Sequence, residues 1–433
     1  MTAALYTPAP PPSSPPGGRG RGHWLAASLL GQCLITLAGW TDEGPGPPRF
    51  VVATATGSRE GVLKEITADW GVVLESDEPK IAGTDLLSLH CVGRPLPPLP
   101  EGKHLILTNG DRIPLEEARL VGERLRFRHP DLADGKETEL PLPAIAVLWL
   151  AAPDQADSLQ QRQRLRYRLT HENRSKDQIV LRNGDTREGV FSSLDAKKAE
   201  IEVEKKQVPI NLDRIAYITL STELAEHLKP KGPYARLILS ATKDSPGGRI
   251  SLTSATCTDG RTLQGTTVFG SKLSVPLSRV AALDMYQGKA VYLSDLKPAK
   301  YEYFPFLDCR WPLIPDGSVT GSELRLGGSA YDKGLGLHSH SRLSYDLGGA
   351  YRRFEATVGL DDQTGRKGSV RIKVLGDGKP LDIGPDRELT ATSGPLAVSV
   401  SVVGVKELTL EVEFGQGADV EDHVNWANAR LVK

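Results

Sequence analysis

The chain has 433 residues, a length that suggests about three domains. Its 53 basic and 54 acidic residues give a formal net charge of -1, which argues against a general nucleic-acid or anionic-membrane binder. With 44 glycines, 31 prolines and only 6% aromatics, the composition suits many short strands joined by turns more than a helical enzyme.

Residues 1–40 read as a leader with a signal peptide or signal anchor. Arg19 and Arg21 precede an apolar run from Trp24 to Trp40, and a basic flank before a short apolar core is the export pattern. The run is shorter than the roughly 20 residues of a typical membrane-spanning helix. The expectation is a secreted, periplasmic or cell-surface protein, with anchoring through 24–40 as the rival. A Gly/Pro-rich linker covers 41–48. The four cysteines, Cys33, Cys91, Cys257 and Cys309, have no metal-ligand spacing, and buried free thiols are the expected state of those that stay with the mature chain.

One grammar then recurs over 49–95, 102–152, 177–222 and 233–286: strand, Asn/Asp-Gly turn, two strands, and a short strand ending in an apolar triplet. Asn109-Gly110-Asp111 and Asn183-Gly184-Asp185 stand at equivalent points, where glycine supplies the positive φ of a tight turn. Asp111 and Asp185 read as polar turn residues rather than a catalytic pair. The four units look like small SH3- or Sm-like barrels acting as spacers or protein-contact modules. Alternating charge, as in Lys197-Lys198-Ala199-Glu200, argues against an RNA face. Between the second and third units, 153–176 reads as an exposed polar connector; Leu165, Tyr167 and Leu169 alternate as in a strand while their flanks favour helix.

The last third shows period-two alternation. Phe354, Ala356 and Val358 face one way; Val370, Ile372 and Val374 do the same, as do Leu408, Leu410, Val412 and Phe414. Asp377-Gly378 supplies a two-residue hairpin turn. Together these predict an antiparallel β-sandwich of jelly-roll type over 288–433.

This segment resembles the NPCBM family of carbohydrate-binding modules, found appended to α-galactosidases and to endo-glycosidases that cut blood-group glycans. The resemblance rests on Val291-Tyr292-Leu293-Ser294-Asp295-Leu296, on the run from Tyr331 to Ser341, on Val358-Gly359-Leu360-Asp361-Asp362, and on the closing Asp422-His423-Val424-Asn425-Trp426. It implies a galactose-binding-like jelly roll, a galactose-type glycan as ligand, and a structural Ca²⁺. The loop from Lys297 to Trp311 carries Tyr301, Tyr303, Phe304, Phe306 and Trp311 but lacks the glycine run of sugar-binding members. Exposed, these rings would stack on a pyranose; buried, they would plug the sandwich end.

No Gly-x-Ser-x-Gly elbow, phosphate-binding glycine loop or His-Glu-x-x-His motif is present, so a non-catalytic protein is expected. The candidate carbohydrate-binding residues are Tyr303, Trp311, Tyr331, Lys333, His338, Asp361 and Trp426. Trp426 has the core as its plainer alternative. The candidate Ca²⁺ ligands are Asp362, Asp419 and Asp422, since hard oxygen donors on loops suit that ion. His338 and His340 would share one face of a strand and could start a metal site, although no third ligand is evident. Their plainer role is hydrogen bonding to neighbouring loops. The leading function is an exported carbohydrate-binding protein. The alternatives are a structural or protein-interaction protein that has lost sugar binding, and an accessory part of a glycoside hydrolase system.

Overall fold

In each of the four segments read as units, the opening strand lies antiparallel to the closing strand. Arg49–Thr54 pairs with Leu86–Cys91, His104–Leu107 with Ile145–Trp149, Asp177–Leu181 with Ile215–Thr219, and Tyr234–Leu239 with Val280–Tyr286. Each closing strand also pairs with the closing strand of another segment. Leu86–Cys91 registers Leu89 on Leu283, and Ile145–Trp149 registers Leu148 on Ile218. These strands are therefore central, covered on both faces, and that is why they read as apolar runs rather than alternations. Leu89, Leu283, Leu105, Ile179 and Leu237 are all fully buried, in one core continuous from Phe50 to Met285. Removing one such leucine to alanine costs about 2–5 kcal/mol.

This computed structural model describes residues 46–433 other than 77, 224, 227, 229, 244, 307 and 385–387. The leader, the apolar run at 24–40 and most of the 41–48 linker lie outside the described residues. No described helix is long and apolar enough to cross a membrane. Cys91, Cys257 and Cys309 are free thiols; the first two are buried as expected, whereas Cys309 is exposed.

The two Asn-Gly-Asp turns share a mechanism. Gly110 and Gly184 have φ of 92° and 93°, and the Asn109 and Asn183 side chains accept from the amides of Asp111 and Asp185. Their carboxylates then diverge. Asp185 is exposed, whereas Asp111 is fully buried and accepts from the Ser251 amide and hydroxyl at 2.9 and 2.6 Å. Asp111 is thus a strut between the second and fourth segments, not the polar turn residue expected.

The connector is a helix, α1 (Leu159–His171). Ser158 and Gln161 form a reciprocal capping box that satisfies two orphan amides. The helix buries Gln163, Arg166 and Leu169, correcting the reading of an exposed segment. Arg166 sits 5.3 Å over the Trp149 ring, and the Tyr167 hydroxyl donates to the Pro315 carbonyl. A buried stripe made partly of glutamine and arginine leaves no helical hydrophobic period to read.

The C-terminal third is a sandwich of two antiparallel sheets. One runs Ile314–Pro315, Gly334–His338, His423–Val432, Arg353–Leu360, Leu396–Ser401; the other runs Lys300–Tyr303, Ser341–Asp346, Glu407–Phe414, Ser369–Gly376, Lys379–Pro380. Ala290–Tyr292 adds to His423–Val432. Phe354, Val358, Val370, Leu410, Val412 and Trp426 fill the space between, as the alternation requires. Asp377 and Gly378, at φ 50° and 76°, make the hairpin turn. Glu411 departs from the pattern: on a central strand it is buried, with Arg342 donating to it at 2.7 Å.

Residues 45–433 cluster as one compact unit. Arg353 donates to the carbonyls of Thr54 and Ala55, the Ala330 amide donates to the Leu96 carbonyl, and buried Arg249 donates to Asp332. Tyr331 packs on Leu96, Ile238, Ala281 and Ala282. The sandwich is seated on the N-terminal β segments rather than tethered to them.

Candidate functional site

The loop before the Ile314–Pro315 strand brings its aromatic residues to one end of the sandwich. Trp311 lies parallel to His338, with centroids 4.7 Å apart and planes 6° apart. His423 is tilted against both, at 5.2 Å from Trp311 and 5.4 Å from His338. Strand register creates this meeting: His338 ends one strand directly opposite His423, which begins the last. Tyr303 comes from the other sheet, its hydroxyl 3.3 Å from His338 Nδ1.

The imidazoles are held neutral. Burial lowers the His338 pKa against the opposing pull of the Ser339 carbonyl and Asp419. Burial, reinforced by His338, takes His423 down to about 4. His338 Nδ1 carries its proton, because its 2.9 Å partner, the Ser339 carbonyl, can only accept. Nε2 is left as an acceptor. Burial, then Asp419, pushes the Tyr303 phenol up to about 12, so it stays a neutral donor. Trp311, Tyr303 and His423 are half-buried, so ring surface remains open. An indole face beside neutral donors and acceptors matches a pyranose, with its apolar C–H face and its rim of hydroxyls.

Beside this group, Phe304 packs against His340 at 5.0 Å and Phe306 against Phe414 at 5.8 Å. The loop therefore does both of the things weighed for it. Tyr301 plugs the core and donates to the Trp311 carbonyl, while Phe304 and Phe306 remain exposed.

The family comparison falls on this part of the chain, matching the NPCBM/NEW2 domain at residues 289–432. Residues 289–432 are an NPCBM/NEW2 domain. A curated protein of Renibacterium salmoninarum, named "Putative endo-alpha-N-acetylgalactosaminidase", is 34% identical over 112 residues, covering 26% of this chain and 7% of that protein. The present chain thus spans a small part of that relative. Among solved structures, a CBM51 of Clostridium perfringens in complex with methyl-galactose is 28% identical, with a TM-score of 0.30, covering 33% of this chain and 99% of that one. A second Clostridium perfringens structure, holding CBM51-2 in complex with GlcNAc and INT domains, is 23% identical, with a TM-score of 0.30, over 42% of this chain and 40% of that one.

Within the NPCBM/NEW2 domain the candidate residues separate. Tyr303, Trp311 and His338 converge, and Asp419 is close enough to act on Tyr303 and His338. His423 belongs with them and was missed, since only strand register sets it opposite His338. Trp426 does not join them: it is fully buried against Phe354 and is a core residue. Tyr331 instead faces the N-terminal β segments, and Lys333 is tied to its own domain. Lys333 donates to Asp295 and Asp316 at 2.7 and 2.6 Å and sits 5.8 Å over Tyr292. Asp361 is buried under the adjoining loop and accepts from the Gln363 amide.

Two of the three carboxylates expected to hold Ca²⁺, Asp362 and Asp422, are engaged on different loops. Asp362 accepts from the amides of Gly327 and Gly328 at 2.9 and 2.7 Å. Asp422 is fully buried, accepting from the Ser339 hydroxyl at 2.5 Å and the Ser369 amide at 2.9 Å. Both carboxylates serve as loop staples, and no three His, Cys, Asp or Glu residues among those described could hold a metal. The two histidines do not pair on a metal either: His340 turns to Glu411, at 3.3 Å.

Proposed function

We propose that the NPCBM/NEW2 domain binds a carbohydrate, without acting on it chemically, at the sandwich end formed by Trp311, His338, His423 and Tyr303. One observation carries this reading: a half-exposed indole stacked on a neutral imidazole, with a second imidazole tilted against both and a phenol hydroxyl 3.3 Å from the first. The name of the Renibacterium salmoninarum relative supports a galacto-configured glycan as the first ligand to try. The N-terminal β segments seat the domain. Export through residues 24–40 is part of the proposal and rests on their sequence alone. A glycan array probed with the full chain and with Trp311→Ala tests the binding. Binding weakened in the variant supports it; a blank array from folded wild-type protein sinks it.

The exposed pair Phe304 and Phe306, at 45% and 55%, favours a second reading in which this end contacts a protein. A blank array, together with self-association by sedimentation that disappears in Phe304→Ser/Phe306→Ser, would select it.

A further inference from the structure

Away from the Trp311 platform, a cavity of about 590 Å³ lies where α1, the second and fourth barrel-like segments and the NPCBM/NEW2 domain meet. Its volume is in the range of small-molecule sites. Exposed Asp295, Gln287 and His171 at its edge connect it to solvent.

Two features set it apart from an ordinary crevice. Nine of the eighteen buried side-chain polar atoms that lack a hydrogen-bond partner among the described residues belong to residues lining it. The donors are Asn109 Nδ2, Gln163 Nε2 and the Nε atoms of Arg112, Arg166 and Arg236. The acceptors are Gln163 Oε1, both Glu323 oxygens and Asp332 Oδ2. Native interiors leave few such atoms orphaned, so this concentration calls for a ligand or ordered water. The second feature is a tyrosine wall. Tyr234 stacks on Tyr286 at 5.3 Å, Tyr292 is tilted against Tyr286 at 5.4 Å, and Arg236 lies 5.1 Å over Tyr286.

The balance of groups selects the ligand class. A simple anion would match the guanidinium donors but meet Glu323, Asp332, Asp295 and Asp316, and a simple cation would meet the reverse conflict. Lys333 already pairs with Asp295 and Asp316, and Arg249 with Asp332 Oδ1, but Arg236 stands 3.8 Å from Asp332 Oδ2 and Glu323 stands 3.9 Å from Arg325, too long for hydrogen bonds. A ligand whose every polar group both donates and accepts satisfies both sets at once, and hydroxyls do that. Its apolar face would rest on the tyrosine rings. We infer that this cavity is a second saccharide site, taking a neutral polyhydroxyl ring, and that it exists only because the barrel-like segments and the NPCBM/NEW2 domain are joined. It extends the proposed carbohydrate role, on which the choice of probes rests.

The test is calorimetric titration of the full chain with methyl galactoside, N-acetylglucosamine and a neutral galactose-containing disaccharide. Six chains are compared: wild type and Trp311→Ala, each alone, with Gln163→Met, and with Glu323→Gln. Gln163→Met conserves volume and removes two orphaned atoms, so it should fold with an unchanged or raised melting temperature. The expected result is two sugars per wild-type chain and one in Trp311→Ala. That remaining event should weaken at least tenfold with Gln163→Met or Glu323→Gln. If Trp311→Ala abolishes all binding, the cavity holds only water and the inference fails while the platform stands. If binding ignores Trp311→Ala but falls with Gln163→Met, the platform fails and the cavity stands. No sugar bound by any folded chain overturns both.

Discussion

Trp311 and His338 lie face to face at 4.7 Å, although one is carried on a loop and the other ends a strand of the sandwich. The strand is rigid and fully buried, so the imidazole acts as a backing plate that fixes the indole. A ring fixed before the ligand arrives loses less freedom on binding, which is the advantage of preorganisation.

Trp311→Ala should therefore weaken glycan binding by about 10- to 30-fold, the loss of one central aromatic anchor. Because the indole is half-exposed, the fold should survive. Titration calorimetry beside circular dichroism checks both halves, and unchanged affinity would remove Trp311 from the site.

The neutral imidazoles give the platform a pH signature. His338 and His423 both titrate below the ordinary histidine range, His423 at about 4. Affinity should stay level from pH 8 to 6 and fall toward pH 4 as His423 gains its proton. The same depressed value makes the folded domain lose stability as pH drops from the unfolded-state value of 6.5 through 4. His423→Gln should flatten that part of the melting-temperature profile.

Asp361 acts in the opposite sense. Burial raises its carboxyl to about 6 from 3.8, so its contribution is fully present below pH 3.8 and is lost as pH rises through 6. One oxygen accepts from Gln363 and the other has no partner. Asp361→Asn keeps the first bond and removes the charge. The variant should gain on wild type between pH 4 and 6, by at most about 3 kcal/mol at neutral pH. A stability difference that ignores pH would mean the carboxyl is not the cause.

Trp426→Ala should behave as a core deletion, destabilising the protein by about 3–5 kcal/mol. Denaturant titration should show the loss whether or not sugar is present. A folded variant of normal stability with weakened sugar binding would instead return Trp426 to the candidate surface.

Chelation should leave the protein unchanged, since Asp362 and Asp422 are already satisfied by amides and a hydroxyl. Melting with and without EDTA, and with added Ca²⁺, measures this. A rise in melting temperature on Ca²⁺ addition would reveal a site built from groups other than these carboxylates.

Much of the architecture was legible in the sequence because it depends on local rules. Alternation at Phe354, Ala356 and Val358 named the face that meets the core, and Asn-Gly-Asp and Asp377-Gly378 named their turns, since a positive φ is a property of the residue itself. The aromatic-rich loop pointed to Tyr303 and Trp311 and the family pattern to His338, and the three converge. What the tertiary structure decided were meetings between distant segments. His423 joined the platform through strand register. Trp426 went to the core, Tyr331 turned toward the N-terminal β segments and Lys333 paired with Asp295 and Asp316, because a residue's face is set by what packs on it. The α1 helix escaped the hydrophobic period because its buried stripe includes Gln163 and Arg166, and the cavity they line belongs to no single segment. Local conformation is written in neighbouring residues, whereas a site shared by several elements exists only once the chain has brought them together.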